Sequence, residues 1–173
     1  GASTDEVLKY AVQELAHLVA VEQAAVFLLD EARSTLGLHR ESLYGNRARL
    51  KREVTSLPVE DAHFPFTVTG TQHVSQFNRF QAGEKPLVPF YQELMIRWNL
   101  DAVLAVPLLV RDEGIGEIWL GSQTSRTFDQ SDIQVAFTAA GQLAGVIDQA
   151  SRTRQTDETL RRRVDQLTGL VRF

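Results

Sequence analysis

The chain of 173 residues, 43% hydrophobic and 23% charged, holds enough apolar material for one buried core and too little length for two full domains. Its longest apolar runs fall far short of the roughly 20 residues that span a bilayer, and its net charge of −4 gives phosphate backbones no global attraction, so neither a membrane nor a nucleic acid is an expected partner. Having no cysteine, it forms no disulfide, no thiolate metal site and no thioether link to a chromophore, and the absence of a signal or transit pattern makes the cytoplasm the expected compartment.

Ser3, Thr4, Asp5 and Glu6 have the spacing of a capping box. The helix predicted to follow carries Val7, Leu8, Ala11, Val12, Leu15, Leu18 and Val19 on one stripe and ends near Val21. Residues 24–29 form a continuous apolar run closed by Asp30 and Glu31, predicting a buried strand with residues 35–42 as its hairpin partner. Between residues 44 and 92, Gly45, Pro58, Pro65, Gly70, Gly83, Pro86 and Pro89 break every long element, leaving short strands and short helices. Helical spacing returns over residues 87–100 through Phe90, Leu94 and Trp98, and Asn99 is the predicted stop.

Residues 102–110 and 115–120 are two apolar strands joined across Arg111, Asp112, Glu113 and Gly114, with Gly114 expected to take the positive φ of the turn. Pro107 lacks a backbone donor and belongs at a bulge or an unpaired edge. Asp129 caps a long helix whose apolar positions include Ile133, Phe137, Ala140, Leu143, Ala144 and Ile147. Phe128 and Trp119 are expected to pack together where the last strand meets that helix. After Ala150 a polar stretch leads to Leu160, Val164, Leu167 and Val171, a heptad-like seam that reads as a helical connector over residues 151–173. The apolar spacing of the first helix recurs in this segment. Two readings stay open: the beginning of a second copy, or the period any two amphipathic helices share.

Ala105-Val106-Pro107-Leu108 followed by Gly114-Ile115-Gly116-Glu117-Ile118 resembles the "VPL, turn, G-x-L/I-G" hairpin of GAF domains. Phe128-Asp129-Gln130-Ser131-Asp132 is similar to that family's entry into its final helix, and Leu143-Ala144-Gly145-Val146-Ile147-Asp148 to that helix's end. The resemblance covers residues 4–150. It implies an α/β (α+β), PAS-like fold: a central antiparallel sheet of about six strands, terminal helices on one face, and a ligand cavity on the other, roofed by the middle segment. It implies a non-catalytic, ligand-sensing module of a multidomain signalling protein such as a histidine kinase, working as a homodimer with an effector domain in the same chain. The alternatives are a dimerisation and transmission module without ligand, or the effector domain of a transcription regulator. Ser122 and Gln123 stand where cyclic-nucleotide GAF domains carry Asn-Lys, and Ile133 replaces their Glu, which disfavours that ligand. Covalent bilin is excluded by the missing cysteine, and the cofactor stays unknown.

The candidate ligand-binding residues are His63, Phe64, Phe66, His73, Phe77, Arg79, Phe80, Phe90, Tyr91 and Trp98, since aromatic walls with a few polar groups suit an organic ligand. The bland alternative is that these aromatics fill the core. His17, His39, His63 and His73 lack close helical spacing, so no metal site is expected. A single histidine suffices for haem, with His63 or His73 as the candidate. Arg40, Arg47, Arg49, Lys51 and Arg52 read as a solvated strand edge. No catalytic motif appears. The expected dimer interface comprises Ala136, Ala140, Leu143 and Ala144, continued by Leu160, Val164, Leu167 and Val171.

Overall fold

The computed structural model of the chain describes residues 2–45, 55–79 and 87–171. The elements are α1 (Ala2–Val19), β1 (Gln23–Leu29), β2 (Thr35–Leu38), β3 (Ser56–Pro58), α2 (Val68–Thr71), β4 (Ser75–Asn78), α3 (Pro89–Arg97), β5 (Ala102–Val110), β6 (Glu113–Ser122) and α4 (Gln130–Val171). The strands form one sheet in the order β3-β2-β1-β6-β5-β4, with every pairing antiparallel. The fold class is therefore the expected one.

Side chains on successive strand residues point to opposite faces, and here both faces are covered. Ala24 and Val26 of β1, Leu104, Val106 and Leu108 of β5, and Ile118 and Leu120 of β6 pack beneath Leu8, Val12, Leu15 and Val19 of α1 and Ala136, Ala140, Leu143 and Ala144 of α4. Arg126 joins the two helices, donating to the carbonyls of Val19 at 2.9 Å and Ala20 at 3.1 Å and to Asp132 at 3.2 Å. It also lies 4.4 Å above the Phe128 ring.

This packing corrects the expected interface. Ala136, Ala140 and Ala144 are fully buried and Leu143 is 5% exposed within one chain, so their small size serves the approach of α4 to its own sheet and they cannot meet a partner. Leu160, Val164 and Leu167 are exposed, whereas the side chain of Val171 lies outside the described residues. Trp119 likewise departs from expectation: Phe128 packs on the helical face, but Trp119 lies on the opposite face of the sheet.

Several local expectations shift by a turn or less. Ser3 already lies inside α1, so it caps nothing, and Asp5 turns instead toward His39. The return strand β2 stops at Leu38, and the chain leaves the sheet through a 3-10 turn at Arg40–Ser42. Between β1 and β2, Asp30 accepts from the Ser34 hydroxyl at 2.8 Å and its amide at 2.7 Å, which draws its carboxyl below the ordinary range. The β5–β6 turn has two residues rather than four: Val110 pairs with Glu113, and Arg111 and Asp112 hold φ of 49° and 65°. Gly114 needs no positive φ. A Cβ there would collide with the Thr69 carbonyl.

Other expectations hold. Asn99 ends α3 at φ 54°. Pro107 lies between the last β4 pair, at Ala105, and the register shift at Leu108 and Leu109. Asp129 caps α4 through the Asp132 amide at 2.8 Å, while Asp132 bonds back to the Asp129 amide at 3.2 Å. The polar stretch after Ala150 does not interrupt α4, which runs 42 residues, about 63 Å at 1.5 Å per residue. Its side chains from 152 to 169 are exposed.

Candidate functional site: a buried carboxylate under the roof helices

On β6 the alternation that sends Ile118 and Leu120 to the helices sends Glu117 and Trp119 to the other face. There they meet Phe27 of β1, Phe77 of β4, and Phe90, Tyr91, Leu94, Met95 and Trp98 from α3 and its end. Tyr91 stacks on Phe77 at 4.9 Å and 12° and meets Trp119 edge-on at 4.8 Å and 83°. Trp119 also touches Phe27 at 5.3 Å. These offset and edge-to-face arrangements are the ones aromatic quadrupoles favour.

Glu117 is fully buried at the centre of these rings. Burying a carboxylate is costly unless its oxygens are hydrogen-bonded, and here four donors converge. Oε1 accepts from the Thr69 amide at 3.1 Å and the Thr69 hydroxyl at 2.7 Å, and Oε2 accepts from the Tyr91 hydroxyl at 2.6 Å and the Trp119 indole at 2.8 Å. The Tyr91 oxygen in turn accepts from the Val68 amide at 2.7 Å. Two of the amides at the start of α2 are thereby satisfied. Burial, the adjacent Glu117 charge and the bond to it push the Tyr91 hydroxyl well above its ordinary range, so it remains a donor at any physiological pH.

Thr67 holds the roof in place. Its hydroxyl accepts from the Gly70 amide at 3.0 Å and donates to the Phe64 carbonyl at 2.7 Å, which ties α2 to the 3-10 turn Phe64–Phe66. One carboxylate thus joins α2, α3 and β6 at a single point. Its oxygens hold four of the chain's own donors.

Of the ten residues expected to line a ligand site, Phe77, Phe90, Tyr91 and Trp98 come together in this cluster, and Phe64 packs against its edge. Arg79, just past the end of β4, donates to Asp101 at 2.7 Å. His63, Phe66 and His73 are exposed, and His63 bonds to Asp61 at 3.2 Å. Neither histidine stands among the buried aromatic side chains. Phe80, and the basic residues Arg47, Arg49, Lys51 and Arg52, lie outside the described residues. Sequence reasoning missed Glu117, Thr69 and Trp119 as site residues. The available signal was a lone acid in Ile115-Gly116-Glu117-Ile118-Trp119-Leu120, a strand apolar on both faces.

An antiparallel sheet with helices on one face and a buried acid enclosed by aromatics on the other defines the architecture of this α+β domain. The GAF domain profile matches residues 3–147, and the chain belongs to that family. Among solved structures it is similar to the GAF domain/HD domain protein of Geobacter sulfurreducens, with 23% identity, a TM-score of 0.66, and coverage of 84% of this chain and 92% of that one. The blue-light absorbing PixJ GAF domain of Thermosynechococcus elongatus gives 15% identity and a TM-score of 0.68, over 93% and 94% of the two chains. A domain of a putative two-component sensor histidine kinase from Sinorhizobium meliloti 1021 gives 18% and 0.60, over 87% and 95%. No curated protein matches. Among the described residues no helix is long and apolar enough to cross a membrane.

Proposed function

We propose that this GAF domain is the non-catalytic, cytoplasmic input module of a multidomain signalling protein, in which a small organic molecule at the aromatic face changes how α2 and α3 sit on the sheet. The observation that carries this reading is the convergence of both roof helices on Glu117. A ligand offering its own hydrogen-bond donor in place of Thr69 or Tyr91 would free one roof element, giving the unequal affinity for two states that a ligand-driven switch requires. The ligand seat is drawn from Phe77, Phe90, Tyr91 and Trp98, with Phe64 and Arg79 at its margin and His63, Phe66, His73 and Phe80 as outer candidates. A histidine kinase is the proposed host, a context supported by the neighbour from a putative sensor kinase.

One observation favours a second reading. Each oxygen of Glu117 already accepts two of the chain's own donors, so the cluster also suits a transmission module whose aromatic face is filled by itself. Native mass spectrometry of protein purified from its own host, followed by a thermal-shift screen of donor-bearing compounds, separates the two. A bound mass or a compound that raises the melting midpoint, weakened in Glu117→Gln, supports sensing. Bare chain and no responding compound overturn it.

The domain boundary near residue 150 and a homodimer belong to the same proposal. Val7, Tyr10 and Leu18 of α1 and Val135 and Val146 of α4 are exposed, and Leu160, Val164 and Leu167 extend the stripe beyond the globular part. Leu160 and Leu167 alternate with Val164 as leucine at d and a β-branched residue at a, the pattern of a parallel two-stranded coiled coil. Leu160→Asp with Leu167→Asp should weaken the dimer in analytical ultracentrifugation without moving the melting midpoint of the globular part. An unaltered chain that stays monomeric at every concentration would remove the interface.

A further inference from the structure

Three side chains distant in sequence converge where the first turns of α1 meet the end of β2. His39 Nε2 lies 2.9 Å from Asp5 Oδ1 and 3.6 Å from Glu41 Oε2, and one ligand atom from each of the three residues falls within 4.8 Å of the others. The His39 side chain is only 14% exposed, and its backbone is fixed by the amide bond to the Val26 carbonyl at 2.8 Å. Asp5 rides on a helix whose other face is locked into the core.

A buried hydroxyl orients the ring from its other side. Ser42, fully buried, donates its hydroxyl proton to the His39 carbonyl at 3.2 Å. The same oxygen lies 2.7 Å from His39 Nδ1. With the ring proton on Nδ1, Nε2 offers a lone pair toward the carboxylate oxygens of Asp5 and Glu41. Ligating imidazoles commonly donate their other N–H to an oxygen in this way, which fixes the tautomer and raises ligand basicity.

We propose that Asp5, His39 and Glu41 bind a divalent first-row transition metal, with water completing the coordination, and that the ion clips α1 to the end of β2. Imidazole with carboxylates suits zinc and its neighbours rather than calcium or magnesium, which prefer all-oxygen sites. Zinc held tetrahedrally at ~2.0–2.1 Å from each ligand would place the ligand atoms about 3.3–3.4 Å apart. The observed 2.9 and 3.6 Å bracket that spacing. Spacing along the sequence could not reveal the site, because Asp5 and His39 stand 34 residues apart and meet only when α1 docks.

Zinc titration of the full chain by calorimetry, with the cobalt(II) visible spectrum as an independent readout of tetrahedral coordination, tests the assignment. The expected result is saturable one-to-one binding that raises the melting midpoint. Ser42→Ala, acting through the ring orientation, should weaken it about 10- to 100-fold, and Asp5→Asn or His39→Gln by more. His17, His63 and His73 persist in every variant and report any adventitious surface binding. Should His39→Gln fail to fold, Asp5→Asn decides, since that side chain is 45% exposed. Zinc binding unchanged in Asp5→Asn, or no saturable binding by the unaltered chain below about 1 mM, would overturn the proposal.

Discussion

The two faces of the sheet are held by different physics. Beneath α1 and α4 lie Ala, Val, Leu and Ile side chains with one phenylalanine, Phe128, and this face coheres through buried area and close packing, which have no preferred direction. The other face combines six large rings, from Phe27, Phe77, Phe90, Tyr91, Trp98 and Trp119, with a buried acid. Its short roof elements, α2 with four residues and α3 with nine, reach the sheet partly through hydrogen bonds to Glu117. The first face can change only by repacking many contacts. The second can change by exchanging a few bonds at one carboxylate, so it is the better place for a switch.

Substitutions should separate the faces in order of severity. Ala140→Arg with Ala144→Arg puts two unpaired charges, at several kcal/mol each, into the helical face. That is enough to exhaust a typical stability of about 5–15 kcal/mol, so circular dichroism should report loss of the fold rather than a folded monomer. Trp119→Ala should cost about 3–5 kcal/mol in denaturant unfolding. A small loss would show that the aromatic face is loosely packed. Glu117→Gln, which turns an amide donor toward Thr69, Tyr91 or Trp119, should cost about 2–4 kcal/mol.

Tyr91→Phe removes a bond to Glu117 and the acceptor of the Val68 amide, for about 1–3 kcal/mol. It should also alter the pH dependence. The Tyr91 hydroxyl is raised above 10.0 in the folded chain, so above pH 10 the unfolded chain has released a proton that the folded chain still holds. Stability should therefore fall as pH climbs beyond 10, and the Phe variant should show less of that fall. Smallest of all, Asp112→Ala should cost about 1 kcal/mol because Ala tolerates the left-handed region less well than Asp, and Asp112→Gly should cost nothing.

The helical face was legible because its order is local. The 3.6-residue stripe of α1, the continuous apolar runs of β1, β5 and β6, and the Asp129 cap are local patterns, and each lies close to where it was expected. What those patterns could not say is which neighbour a face would meet. Ala136, Ala140 and Ala144 permit close approach equally to a partner helix or to the chain's own sheet, and the sheet took them. The aromatic face resisted reading because its bonds span long separations, 48 residues from Thr69 to Glu117 and 26 from Tyr91 to Glu117. Its elements are also too short to show a period. The turn differs from expectation because positive φ falls on Arg111 and Asp112 rather than on a glycine, whereas Gly114 is small to admit the Thr69 carbonyl.

The claim that one carboxylate fastens the roof is tested most directly by amide hydrogen exchange in the unaltered chain and in Glu117→Gln, read residue by residue under native conditions. The expected result is local: the amides of Val68 and Thr69, which bond to Tyr91 and Glu117, and those of α3 lose protection, while β1, β5, β6 and the first turns of α4 keep theirs. Protection lost uniformly across both faces, or unchanged at Val68 and Thr69, would contradict it.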